Sequence, residues 1–225
     1  MDNSGSHSGR WKLVILSLIY RKIVRYIPVL RTKLNEVFEM MEGKMVMDWD
    51  NMQRKLEALY VLDNALTDPK KDYLRLVRKT DTDTETRYVV DNGAGDTLDV
   101  VFTQKTIVIK GFDHENSLSQ FAADEWNQKT IDRMYEGMDP NLIELFSEED
   151  RDYSTFVIWY DGAIHQNPTE GNDGGQWLLS HVSCTYEEFK NYVEGYYARD
   201  FNNELLKKLF ENGSLSSNEL DELIE

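Results

Sequence analysis

Three ionisable side chains follow one another at Asp113, His114 and Glu115, beginning two residues after Gly111, which follows the β-branched run Ile107–Ile109 and Lys110. A histidine between two carboxylates can act as a general base held by an acid, or as part of a metal site. In a continuing strand, however, the two carboxylates would share one face and the histidine the other. Convergence therefore requires a bend after Gly111, and the alternative is a structural role as turn caps.

A catalytic site at this segment would need side chains from a second element. The best candidates are Asp161 and His165, which follow a predicted strand over Phe156–Tyr160. If that strand neighbours the one reaching Gly111 and runs parallel to it, both sets of side chains meet at one sheet edge. If it runs antiparallel, they lie at opposite ends and form no common site.

Other residues suit binding better than catalysis. Acidic and aromatic side chains that could contact a partner are found at Asp161, Asp173, Trp159 and Trp177, and His181 is a weaker addition to a site. No His/Cys cluster has transition-metal spacing, so we expect no metal and no cofactor. Cys184 is the sole cysteine. It excludes an intrachain disulfide and favours a reducing cytoplasm.

Two polar segments imitate known ligand loops. Asp81–Glu85 alternates acids as a calcium loop does, but it lacks the glycine and distal glutamate of an EF-hand, which favours an exposed loop or edge strand. Asp91–Asp96 resembles a phosphate loop, but it lacks Gly-Lys-Ser/Thr and precedes a strand pattern. A hairpin turn with positive φ explains it better.

The elements that must position these residues are short strands between helical segments. Apolar alternation predicts strands at Tyr73–Arg78, Arg87–Val90, Leu98–Phe102, Ile107–Ile109 and Thr155–Tyr160. Helical patterns cover Trp11–Glu42, Asp48–Leu66 with Asp48 or Asp50 as cap, parts of Ser117–Asp150, and Asn203–Glu211. A capping box of Thr185 with Glu188 predicts a further helix after Thr185, and Ser216 with Glu219 predicts the start of a last short one. We predict a loop over His165–Gly175. We therefore predict an α+β fold, with a mainly antiparallel sheet of about five strands packed by N- and C-terminal helices.

Charge divides the chain into unequal parts. Of the net −16, residues 1–44 contribute +4 and residues 45–225 contribute −20. We predict a disordered tail at 1–9, a basic amphipathic helical segment at 10–44, and a single acidic domain at 45–225. The acidic domain disfavours nucleic acid and favours a basic protein partner, although acidity can serve solubility alone.

Membrane contact has little basis in the sequence. The longest apolar stretch, Leu13–Tyr20, has eight residues, whereas a transmembrane helix needs roughly 20. We therefore expect no transmembrane segment. Residues 11–34 could still lie on a membrane surface as a basic amphipathic helix, and packing on the acidic domain is the alternative.

The segment Lys110–Glu115, preceded by Asp91–Asp96, resembles an uncharacterised bacterial family in which a glycine-bearing turn, a strand and a "GFDHE-S" segment recur. The resemblance extends loosely from about Tyr88 to Tyr197. It implies a bacterial origin and a coherent fold, and the family brings no established activity.

Together these features predict a non-catalytic acidic bacterial binding protein, for instance an immunity-type protein that neutralises a basic toxin or enzyme. The alternative is a metal-dependent or acid/base hydrolase-like enzyme centred on Asp113, His114 and Glu115, with His165 as a further candidate catalytic residue.

Overall fold

The computed structural model describes residues 47–122, 127–168 and 173–225. Residues 47–225 form one compact unit. The predictions for the tail at 1–9 and for the basic helical segment at 10–44 lie outside the described residues. Among the helices that are described, none combines the length and apolar character required to cross a membrane.

The centre of the fold is an antiparallel sheet whose strands lie side by side in chain order. The strands are β1 (Val77–Asp81), β2 (Glu85–Asp91), β3 (Thr97–Thr103), β4 (Ile107–Phe112), β5 (Phe156–Tyr160) and β6 (Ile164–Gln166). The predicted α+β class is confirmed, with six strands instead of about five. The additional strand is β6, which pairs with β5 where the sequence predicted a loop.

Helices surround this sheet. They are α1 (Met52–Leu66), α2 (Gln128–Met134), α3 (Pro140–Ile143), α4 (Glu148–Asp152), α5 (Gly175–Leu178), α6 (Ser180–Ser183), α7 (Tyr186–Tyr197), α8 (Asn203–Asn212) and α9 (Ser217–Ile224). The predicted capping box at Thr185 is present, since its side chain accepts from the Glu188 amide while the Glu188 carboxylate accepts from the Thr185 amide. A second capping box, at Ser216, starts α9.

The predicted starts of β1 and α1 were wrong. Strand β1 begins at Val77 and not at Tyr73, because Tyr73 and Leu74 belong to a 3-10 helix over Pro69–Leu74, in which Asp68 accepts from the Lys70 amide. Asn51 occupies the N-cap position of α1. The predicted cap Asp48 instead accepts from the Asn51 side-chain amide at 2.9 Å and pairs with Lys55 at 3.1 Å.

The two faces of the sheet pack against different helices. The closed face includes Tyr88, Val100, Ile109 and Ile158 and lies against α1, where the Tyr88 hydroxyl donates to Glu57. The groove face includes Arg87, Val89, Asp99, Val101, Val108, Lys110, Phe112, Val157 and Trp159. Part of the groove face packs against Ile131 and Met134 of α2, and the part carrying charged side chains stays open to a groove.

Gly111 does not end strand β4 as the sequence suggested. The strand continues through Phe112, and Gly111 pairs with Phe156 on β5. A Cβ atom at Gly111 would lie 2.0 Å from Cε1 of the buried Phe156 ring. Close packing therefore requires the glycine here, and the chain turns later, where the Asn116 amide donates to the Asp113 carbonyl at 3.1 Å.

Candidate functional site

His114 is bound into the turn between β2 and β3. Its backbone amide donates to Asp96 Oδ1 at 2.9 Å, and its Nδ1 lies 2.8 Å from the same oxygen. The Asn92 side-chain amide donates to the other Asp96 oxygen at 2.8 Å. The turn has positive φ at Gly93 (+72°) and Gly95 (+108°), which confirms the predicted hairpin. His114 thus ties the end of β4 to this turn.

The His114–Asp96 pair also sets both pKa values. The hydrogen bond to Asp96 raises the pKa of His114 above its ordinary value. Burial raises the pKa of Asp96, but hydrogen bonds from His114 and Asn92 outweigh burial and lower it overall. Asp96 therefore holds Nδ1 of the imidazole, and their hydrogen bond favours the protonated form of His114.

The carboxylates of Asp113 and Glu115, which flank His114 in the sequence, lie in different surroundings. Trp177 Nε1 donates to Asp113 Oδ2 at 3.4 Å, and Asp113 lies so close to Gly174 that a Cβ there would come within 2.6 Å of the carboxylate. Glu115 is 85% exposed, with its carboxylate 3.9 Å from His114 Nε2. The three consecutive side chains therefore do not converge on one substrate position.

The second candidate set lies at the far end of the sheet. Strands β4 and β5 are antiparallel, with Ile107 opposite Tyr160, so the condition for a common site is not met. Asp161 and His165 pair with each other instead, at 2.9 Å, and the His165 ring stacks on Trp159 at 5.2 Å. Across residues 47–122, 127–168 and 173–225, no cluster of three or more His, Cys, Asp or Glu residues could hold a metal.

The remaining predicted site residues have mainly local roles. Asp173 accepts from the Gly175 amide at 2.9 Å and from the Gln166 side chain at 3.1 Å. Trp177 is 42% exposed, whereas Trp159 is buried in the core. Burial lowers the pKa of His181 to about 4, which leaves its imidazole neutral near pH 7.

Sequence reasoning missed a group of charged residues on the groove face. Arg87 Nε donates to Asp99 Oδ1 at 2.8 Å, a second guanidinium nitrogen pairs with Oδ2, and a third donates to the Leu145 carbonyl at 3.3 Å. Burial would lower the pKa of Arg87, but its bonds to Asp99 raise it overall. Lys110 lies directly across from Asp99 on β4 and donates from Nζ to the Tyr153 carbonyl at 3.0 Å.

These charged residues form the floor of a groove, which we call the charged groove. Its volume is about 540 Å³. Further lining residues are Phe112, His114, Phe121, Glu149, Asp150 and Tyr153. One feature of the sequence could have indicated these residues: Asp99 and Lys110 stand inside strand patterns of β-branched residues. Charges are rarely buried in such strands without a partner or a function.

A second feature is the acidic helical face, formed by residues 128–152 from α2 to α4. It carries eight acidic and three basic residues. A smaller groove of about 490 Å³ lies within it. Lining this groove are Ile131, Tyr135 and Ile143, with Asp132, Glu148, Arg151 and Asp152 among the polar residues.

Searches against protein-family models, curated proteins and solved structures find no match for this chain. Its function must therefore be argued from its own geometry and charge.

Proposed function

We propose that the chain is a non-catalytic binding protein that receives a basic protein partner on the acidic helical face. The observation that carries the proposal is the charge of residues 128–152, where seven of the eight acidic side chains are exposed. Opposite charge steers a basic partner toward such a surface and accelerates the encounter. The net −20 of residues 45–225 adds to this attraction at long range.

The smaller groove gives this surface a place for a partner's Lys or Arg side chain. Ile131, Tyr135 and Ile143 offer apolar contact to the stem of such a side chain, and carboxylates nearby can bind its head. Arg151 neutralises part of the negative charge of this groove, because its guanidinium lies 4.0 Å from the Glu148 carboxylate. The same side chain also donates to the Phe146 carbonyl. The remaining acids keep the groove net negative.

The enzymatic alternative has weaker support. A general base should carry a proton-accepting atom that faces a substrate position. His114 Nδ1 is bonded to Asp96 at 2.8 Å, Asp113 is directed to Trp177, and Glu115 is exposed. The three consecutive residues therefore do not supply an acid–base pair that faces one substrate position, which is what the hydrolase-like alternative requires of them.

The biological role that fits this proposal is neutralisation of a basic toxin or enzyme by an immunity-type protein of bacterial origin. A reducing cytoplasm belongs to the same proposal, because the sole cysteine is Cys184. Burial raises the pKa of its thiol to about 11, which makes it an inert core residue.

The test is affinity capture from a lysate of the source organism, followed by association kinetics with the captured protein. The variant Glu136→Lys/Glu144→Lys reverses two exposed charges of the acidic helical face. We expect its association rate to fall about tenfold at low ionic strength, because steering depends on local charge. High salt should reduce the rate of the unchanged protein in the same direction.

The matched control is Asp221→Lys/Glu222→Lys on α9, which changes the net charge equally at exposed positions outside the acidic helical face. It should retain most of the association rate. If the association rate fell equally in both variants, net charge alone would explain the loss, and the acidic helical face would have no special role. A captured partner whose association rate did not depend on salt would also contradict the proposal.

A further inference from the structure

The charged groove has the size and walls of a small-molecule site. Its volume of about 540 Å³ falls within the range of roughly 300–1,000 Å³ common for ligand pockets. Phe112, Phe121 and Tyr153 form one continuous aromatic wall, with ring centroids 5.4 to 6.0 Å apart. Phe121 is 63% exposed, so its ring can cover a flat apolar ligand.

Lys110 supplies the polar contact of this groove. It is 5% exposed, and its ammonium lies 5.8 Å from the centre of the Phe146 ring. A lysine ammonium has three N–H donors, and one of them is used by the Tyr153 carbonyl. Within the described part of the chain, Lys110 forms no ion pair, whereas Arg87 beside it is paired with Asp99.

A buried ammonium with unused donors is an unfavourable arrangement that a ligand can improve. Burial lowers the pKa of Lys110, and Arg87 acts in the same direction, while Asp99 and Asp150 oppose it at longer range. An acceptor oxygen placed against Nζ would favour the ammonium form and satisfy the remaining donors. A single negative charge on the ligand would also replace the missing ion pair.

We propose that the charged groove binds a small organic monocarboxylate, with its carboxylate on Lys110 Nζ and a flat apolar body against Phe112, Phe121 and Tyr153. The acids that line the groove favour one negative charge over two. Asp150 and Glu149 also line the groove, and they would repel a phosphate dianion more strongly than a carboxylate. This proposal is distinct from the capture of a basic protein, because the ligand here is a small anion.

Phenylacetate is the probe, compared with its neutral analogue phenylacetamide and the cation phenethylamine, by calorimetry on the full chain. We expect phenylacetate to bind at least tenfold more tightly than either analogue, because only the acid supplies a negative charge to Lys110. Lys110→Met should abolish the preference of acid over amide. Its matched control, Lys105→Met in the exposed β3–β4 turn, should leave the preference unchanged.

Phe121→Ala tests the aromatic wall at an exposed position that tolerates truncation. It should weaken acid and amide by a similar factor and keep the preference for the acid. Equal binding of acid and amide, tighter binding of the amine, or no binding of any probe would overturn the proposal. Because the comparison among the three probes uses the unaltered protein, the proposal is decided even if Lys110→Met fails to fold.

Discussion

Asp63 and Lys110 are buried charged residues on opposite sides of the sheet, and their hydrogen-bonding capacity is used to different degrees. Beside the closed face, Asp63 on α1 is fully buried. It accepts from the amides of Leu76 and Val77 at 3.2 and 3.1 Å and from the Tyr197 hydroxyl at 2.8 Å. On the groove face, Lys110 has one hydrogen bond, to the Tyr153 carbonyl.

This difference distinguishes a buried charge with a structural role from one that suits the ligand site proposed above. Asp63 on α1 is hydrogen-bonded both to the backbone at the start of β1 and to Tyr197 on α7. Its carboxylate oxygens therefore have little capacity left to bind a ligand. Lys110 has donors to spare and borders open volume. Fully satisfied polar networks rigidify a core, whereas a mostly apolar pocket with a few convergent polar groups is the usual form of a ligand site.

The largest expected effect comes from Asp63→Ala. Its removal would leave the Leu76 and Val77 amides and the Tyr197 hydroxyl without their acceptor in a buried place, at a cost of about 3–5 kcal/mol of unfolding free energy. Urea denaturation measures the loss. The control Asp68→Ala removes an exposed cap and should cost about 1 kcal/mol. If the two variants lost similar amounts of unfolding free energy, the hydrogen bonds of Asp63 would not have the structural importance proposed for them.

Asp99→Asn tests the ion pair of the groove face. The change leaves the half-buried Arg87 guanidinium without its carboxylate, and we expect a loss of about 2–3 kcal/mol, less than for a fully buried pair because Arg87 is partly solvated. The double variant Arg87→Met/Asp99→Leu should recover much of this loss in urea denaturation. A single variant as stable as the unaltered protein would mean that the pair contributes no stability.

Much of the fold was predictable because its signals are local. Alternating apolar residues located β2, β3 and β5, and the Thr185 capping box located the start of α7. Strand β6 was missed because its three residues, Ile164–Gln166, are mostly exposed and show no buried alternation. The 3-10 helix at Pro69–Leu74 was missed because its apolar residues lie exposed and imitate the start of a strand.

The charged groove was not predictable in the same way. Arg87, Asp99 and Lys110 lie on three strands, and the antiparallel register that brings them together depends on two hairpin turns. A one-residue slip would place each side chain on the other face. The segment Asp113–Glu115 drew attention because its ionisable residues are adjacent in sequence, but in the folded chain their side chains contact Trp177, Asp96 and solvent separately.

Gly111→Ala tests how tightly the closed face is packed. The added Cβ would lie 2.0 Å from Phe156 Cε1, and because that ring is fully buried, we expect a loss of about 1–3 kcal/mol from overpacking. Gly195→Ala on α7 is the matched control, since its Cβ would meet nothing within 4 Å. It should stabilise by up to about 1 kcal/mol through helix propensity. Thermal denaturation compares the two, and a Gly111→Ala protein of unchanged stability would show that the closed face can repack.

The smallest effect concerns His114 at the edge of the charged groove. Because Asp96 raises its pKa above the unfolded value of 6.5, the pair contributes stability that is fully present below that value. The contribution is lost as pH rises through the folded pKa. An NMR titration should show the raised pKa of His114 returning toward 6.5 in Asp96→Asn, which replaces the carboxylate but keeps the size of the side chain.

The pH dependence of the unfolding free energy should have the sign that a raised pKa of His114 requires. Between about pH 6 and pH 8, the unaltered protein should lose more unfolding free energy than His114→Gln, which has no proton to release. The difference should be small because the ring is solvated, in contrast to the effect of Asp63 beside the closed face. A difference of opposite sign would mean that His114 is held as a neutral ring, and would make it available as a base after all.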